Sequence, residues 1–240
     1  MSNIFSLCQQ YLVSAGESCQ PPDFPGDVED WGNLARWEPF GVNANEFAET
    51  RLTPLGGQLI VGPDGPQSSP ASYDLAIRTA LRYDLRGHEV VVRVEPSFAG
   101  DEGATMVEIL SPTTSGSPWP IAQVEARNGA TPELRAFVQF SGDAQLETAS
   151  WDRSAHAWWR FRFGPESDWI QLAVAGDCGV WDTLVDLANP AAGDYPMSCM
   201  QIRVLDNVWD GAVDGTERTR INEIYIRPTN PDPPEEEPES

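Results

Sequence analysis

The 240-residue chain contains no lysine: all 15 of its basic side chains are arginine, set against 37 acids for a formal net charge of −22. Proteins that grip phosphates need a basic footprint, so this balance argues against nucleic acid and against an anionic membrane surface as partners. No stretch approaches the 18–20 apolar residues of a membrane span. Secretory signals carry a positive start and an unbroken apolar run. Here no base precedes Arg36, and Gln9 and Gln10 interrupt the apolar residues. Synthesis in a cytosol without N-terminal export is the expectation. Only two histidines, His88 and His156, could serve as imidazole bases. The four cysteines (Cys8, Cys19, Cys178 and Cys199) show no CxxC spacing and no neighbouring histidine, which argues against zinc. Two readings of them stay open: buried thiols, the simpler one, or local pairs Cys8/Cys19 and Cys178/Cys199.

What is present is a core. Hydrophobic residues make up 40% of the chain and nine are tryptophan, too many for a disordered polymer. Segments 57–62, 72–80, 89–95, 106–110, 121–127, 134–140, 158–163, 169–175, 200–205 and 220–226 are short, β-branched or alternating. Gly, Pro, Asn and Asp separate them. This spacing predicts an antiparallel sandwich or barrel in a single domain. In 158–163, alternation puts Trp159, Phe161 and Phe163 on a core face. Trp158, Arg160 and Arg162 fall on the other, suited to aromatic stacking and carboxylate pairing. Before the strands, Phe5, Leu7, Tyr11 and Leu12 recur at helical spacing, predicting a short amphipathic helix over 3–14 that docks on the body or on a partner. The proline-rich segment 19–26 reads as a linker. The division expected is an arm (1–25), a sandwich (26–228) and a Pro/Glu tail (229–240). Residues 1–50 hold eight acids and one arginine, and residues 230–240 hold five acids and no base.

Four stretches resemble the concanavalin-like and laminin-G-like jelly-roll family, of the kind found in actinobacterial secreted proteins and phage minor tail proteins. They are Tyr83-Asp-Leu-Arg-Gly-His88 with its following strand, Trp151-Asp-Arg-Ser-Ala-His-Ala-Trp-Trp-Arg-Phe-Arg162, Gly57-Gln-Leu-Ile-Val61 and Ile221-Asn-Glu-Ile-Tyr-Ile226. The resemblance implies an all-β antiparallel jelly-roll β-sandwich in which the last two stretches are the paired first and last strands. It leaves function open, since the family includes enzymes, lectins and adhesion modules.

Enzymes on this fold commonly carry their paired carboxylates on one strand as Glu-x-Asp-x-x-Glu, and that spacing is absent. Glu108, Glu125 and Glu223 each stand alone among strand residues. There is no Gly-x-Ser-x-Gly elbow and no phosphate loop, so neither an enzyme nor any catalytic residue is expected. The metal candidates are Asp206, Asp210 and Asp214, whose hard oxygens and neighbouring glycines suit calcium, although Asp-Gly pairs are also ordinary turn residues. No other cofactor is expected. The ligand-binding candidates are Trp119, Trp181 and Trp209 with Arg160 and Arg162. His156 is read as a turn residue. Together these features predict a non-catalytic bacteriophage virion protein, a minor tail or capsid-surface accessory. It would be made in the host cytoplasm and docked into an oligomeric assembly by its arm and acidic tail, with host-glycan attachment as an added role. A free extracellular lectin-like carbohydrate-binding module is the alternative, and a degenerate glycoside hydrolase the weaker one.

Overall fold

The computed structural model describes residues 19–20, 37–39, 59–62, 73–98, 101–111, 119–140, 143–176, 180–188, 197–211 and 218–229. The predicted N-terminal helix with Phe5, Leu7, Tyr11 and Leu12, the acidic tail, Asp214 and the side chain of Trp119 lie outside the described residues. In chain order the strands are β1 (Cys19–Gln20), β2 (Trp37–Pro39), β3 (Leu59–Val61), β4 (Tyr73–Thr79), β5 (Arg82–Tyr83), β6 (His88–Glu95), β7 (Glu102–Ser111) and β8 (Trp119–Asn128). They continue as β9 (Glu133–Phe140), β10 (Asp143–Ser150), β11 (Trp158–Phe163), β12 (Trp169–Ala175), β13 (Trp181–Ala188), β14 (Gln201–Asp210) and β15 (Thr219–Pro228).

Two antiparallel sheets form the sandwich: seven strands in the order β10-β9-β8-β7-β14-β4-β2, and six in the order β13-β12-β11-β6-β15-β3. A short parallel pair, β1 with β5, stands apart. The expected pairing of first and last sandwich strands is present, with Leu59 to Val61 opposite Ile221 to Thr219. Alternation explains the layers. Leu75 and Ile77, Val107 and Ile109, Val124 and Ala126, and Ile202 and Val204 point inward from the larger sheet. They meet Val90, Val92, Trp159, Phe161, Phe163, Ile170, Leu172 and Ile224 from the smaller one, all buried in one continuous core.

Two turns lead into the central strands β6 and β11. Gly87, at φ +66°, closes a turn in which the His88 amide donates to the Leu85 carbonyl at 3.0 Å. Arg86 grips the Asp84 carboxylate in the same turn. In the second, Asp152 accepts from the amide and hydroxyl of Ser154. His156 Nδ1 there accepts the Asp152 amide hydrogen at 3.0 Å, and the His156 carbonyl receives the indole N–H of Trp159 at 2.9 Å. His156 is therefore committed to a turn, and burial pushes its pKa down.

Two expectations need correcting. Residues 206–210 are not a turn: β14 runs through Asp206 to Asp210, paired on both sides as far as Val208 and with β7 alone at Asp210. Trp119 opens strand β8 opposite Ser111 and is not a loop residue. Of the two readings left open for the cysteines, Cys199 takes the disulfide one. It sits at 1% exposure beside the Tyr83–Met200 backbone bridge.

Candidate functional site

Side chains that alternate with the core point away from it, so the outward residues of the seven-stranded sheet follow from its register. They form three rows across the sheet. The first is Asp74, Asn207, Ala104, Arg127 and Glu133. Next to it runs Ala76, Leu205, Met106, Glu125 and Arg135. The third is Glu38, Arg78, Arg203, Glu108, Gln123 and Phe137. Ala76, Ala104, Met106 and Leu205 make a small apolar cluster in the middle of this face.

Glu108 and Glu125 flank that cluster on neighbouring strands. Glu108 lies opposite Gln123 and Glu125 opposite Met106, so the two acids are diagonal neighbours, a relation that puts their Cα atoms roughly 7–8 Å apart. Both are buried, at 3% and 8% exposure. Burial raises both pKa values above the ordinary glutamate range. Arg203, in a close ion pair with Glu108, opposes its rise, while the Asp74 carboxylate adds to it. For Glu125 the opposing charges are Arg135 and Arg127, helped by the Gln123 amide, which donates to its Oε2 at 3.2 Å; Glu108 pushes it further up. Asp74 is raised by burial, against Arg203. Two carboxyls beside each other, one gripped by arginine and one by an amide, with burial raising both pKa values, are residues of the kind that acid–base chemistry uses. At the edge of this face Trp209 is 39% exposed, with the Arg127 guanidinium 4.7 Å from its ring centre.

The sequence-derived candidates divide between two surfaces. Trp209 belongs to the face just described. Trp181, Arg160 and Arg162 stand on the outer face of the six-stranded sheet, where Arg160 lies 4.3 Å over the Trp181 ring and Arg162 5.7 Å from that of Trp169. Asp206 and Asp210 do not converge. Asp206 points between the sheets, where it accepts from the backbone and hydroxyl of Thr219 and from the hydroxyl of Ser97; burial raises its pKa well above the usual aspartate value. Asp210 is exposed four residues further along the strand, roughly 13 Å at 3.3 Å per residue. Among the described residues no group of three His, Cys, Asp or Glu side chains is placed to hold a metal ion. Asp74, Arg203 and Asn207 are site residues that sequence reasoning passed over. Their signal is alternation with Leu75, Val204 and Val208, which for Asn207 is visible only once strand β14 is known to extend past Leu205.

This architecture is the concanavalin-like jelly-roll sandwich, a fold shared by lectins and polysaccharide hydrolases. No protein-family model matches the sequence, and a search of curated proteins returns no match. Solved structures do match. A laminarinase (endo-1,3-β-glucanase) catalytic domain from Thermotoga petrophila superposes with a TM-score of 0.54 at 10% identity, over 82% of this chain and 93% of that one. The endo-β-1,3-glucanase of Pyrococcus furiosus gives 0.53 at 11% identity, over 81% and 88%. A legume lectin-like domain from Entamoeba histolytica gives 0.52 at 10% identity, over 87% and 95%. The expectation of a non-catalytic chain is corrected here. It rested on the absence of a one-strand carboxylate motif, whereas the structures sharing the fold include endo-glucanases, and the sheet register supplies a carboxyl pair from two strands.

Proposed function

We propose that this chain is a carbohydrate-active protein of the glycoside hydrolase type, working on a polysaccharide laid across the outer face of its seven-stranded sheet. One observation carries the reading: Glu108 and Glu125, distant from any catalytic spacing in sequence, are brought side by side in a buried setting that raises both pKa values. Glycoside hydrolysis needs two such carboxyls, one to protonate the leaving oxygen and one to act as nucleophile or base. Glu125, whose pKa burial raises, is the general acid in this scheme. Glu108, whose ionised form is favoured by Arg203, is the nucleophile or base. Met106, Leu205 and Ala76 offer an apolar floor for the carbon face of a sugar, and Asp74 and Asn207 offer hydroxyl partners. The fold's likeness to glucanases makes a neutral β-glucan the first substrate to try.

The test is incubation of the purified chain with soluble β-1,3-glucan, mixed-linkage β-glucan and a neutral α-glucan, with reducing ends measured over time. Release from at least one of the β-glucans is expected. Failure to cleave any of them, by protein shown to be folded, overturns the hydrolase reading. A virion role for the same chain gains no support from the fold or from its neighbours.

A further inference from the structure

The outer face of the six-stranded sheet carries a second built surface. An open depression of about 380 Å³ is lined by Arg162, Trp169, Gln171, Asp186 and Ala188. Its polar groups are locked together. Gln171 Oε1 accepts from the Arg162 guanidinium at 3.2 Å, and the Gln171 amide donates to Asp186 at 3.3 Å. The guanidinium is further held by Trp169 and by Glu89 at 3.7 Å, and Glu89 is itself bonded to Arg227. Register orders this surface along β12 and β13. Trp169 pairs with Ala188 at one end, Gln171 with Asp186 between, and Ala175 with Trp181 at the other end, beside Arg160. Six residues of strand separate the two ends, roughly 20 Å. A line of this length, with an indole at each end and amide, carboxylate and guanidinium groups between, has the dimensions of several sugar units and not of one small molecule.

We infer that this line, Trp169–Gln171–Asp186–Trp181 with Arg160 and Arg162, is a second binding surface for a neutral polysaccharide chain, separate from the Glu108/Glu125 face. Indole rings stack on the carbon faces of sugars, and the Gln171 amide, Asp186 carboxylate and Arg162 guanidinium exchange hydrogen bonds with their hydroxyls. The neutral class follows from charge. Arg162 and Arg227 already face Glu89, Asp186 adds an exposed negative group, and the chain's net charge of −22 repels a polyanion. Such a surface would keep the protein on its polymer while the opposite sheet engages a chain end or segment.

Glu108→Gln protein, in which hydrolysis is suppressed, is run in native gels containing soluble β-1,3-glucan or polygalacturonate, with tryptophan fluorescence read in parallel. Retardation and quenching by the glucan are expected, with affinity falling about tenfold or more on Trp169→Ala and on Asp186→Ala. The initial rate of otherwise wild-type protein on a short β-1,3-oligosaccharide should stay within about twofold for both substitutions. Asp186 is exposed, so its variant keeps the test valid if Trp169→Ala fails to fold. Glucan affinity unchanged in the folded variants, no retardation at all, or tighter binding of polygalacturonate overturns the inference. Retention that depends on Asp186 in a protein that cleaves nothing would sink the hydrolase reading alone and leave this one standing.

Discussion

At the scale of single residues, the carboxylates fall into two kinds that look alike in sequence. Glu108 and Glu125 face outward, where burial and arginine neighbours tune them; Asp206 is buried between the sheets and bonded to Thr219. A general acid matters most when the leaving group is poor. Glu125→Gln should therefore slow cleavage of polysaccharide by about 10²–10⁴-fold while affecting an activated aryl glycoside far less; equal losses on both substrates would remove the acid role. Asp206 makes a different prediction. Its folded pKa lies well above the ordinary aspartate value, so the native state binds the proton more tightly than the unfolded chain. Stability from this group is complete below that value and is lost as pH rises through the folded pKa. In Asp206→Asn, melting temperature should fall less steeply than in the wild type as pH rises above the ordinary aspartate range, which a calorimetric series run upward in pH would show. Parallel curves for the two proteins would contradict it.

At the scale of elements, the central strands are legible, while the edge strands β2, β10 and β13 are not. Strand β11 alternates as expected: Trp159, Phe161 and Phe163 are fully buried. Strands β10 and β13 escaped notice because edge strands expose both faces, so Asp143–Ser150 and Trp181–Ala188 show little apolar alternation. The difference has energetic weight. Phe161→Ala should cost about 3–5 kcal/mol, whereas Leu146→Thr on β10, at 55% exposure, should stay within about 0.5 kcal/mol. Urea unfolding midpoints check both, and similar shifts in the two would show that β10 is not the marginal edge described. The carboxyl pair was hidden for a related reason. Alternation against Val107 and Val124 shows that Glu108 and Glu125 face outward, but only the register of β7 on β8 makes them neighbours, and register is not written in either strand alone. The turn reading of 206–210 failed because Asp-Gly chemistry suggests turns, while pairing with β7 carries β14 on to Asp210.

At the scale of the molecule, an acidic chain sets two opposite sheet faces around one core, with Arg127, Arg135 and Arg203 on one and Arg160 and Arg162 on the other. The disulfide at Cys199 clamps a segment beside the Tyr83–Met200 bridge. Reduction under native conditions should lower stability by about 2–4 kcal/mol without changing the sheet content; an unchanged melting temperature after complete reduction would show that the clamp is redundant. The central claim is that Glu108 and Glu125 together make a hydrolytic site, and it meets its most direct test in initial rates. Wild-type, Glu108→Gln, Glu125→Gln and doubly substituted proteins, matched in melting behaviour, are compared for reducing-end release from soluble β-1,3-glucan. The account predicts measurable cleavage by the wild type, a loss of at least about a hundredfold in each single variant, and little further loss in the double variant, because the two groups act as a unit. Cleavage that survives both substitutions, or none in the wild type, would contradict it.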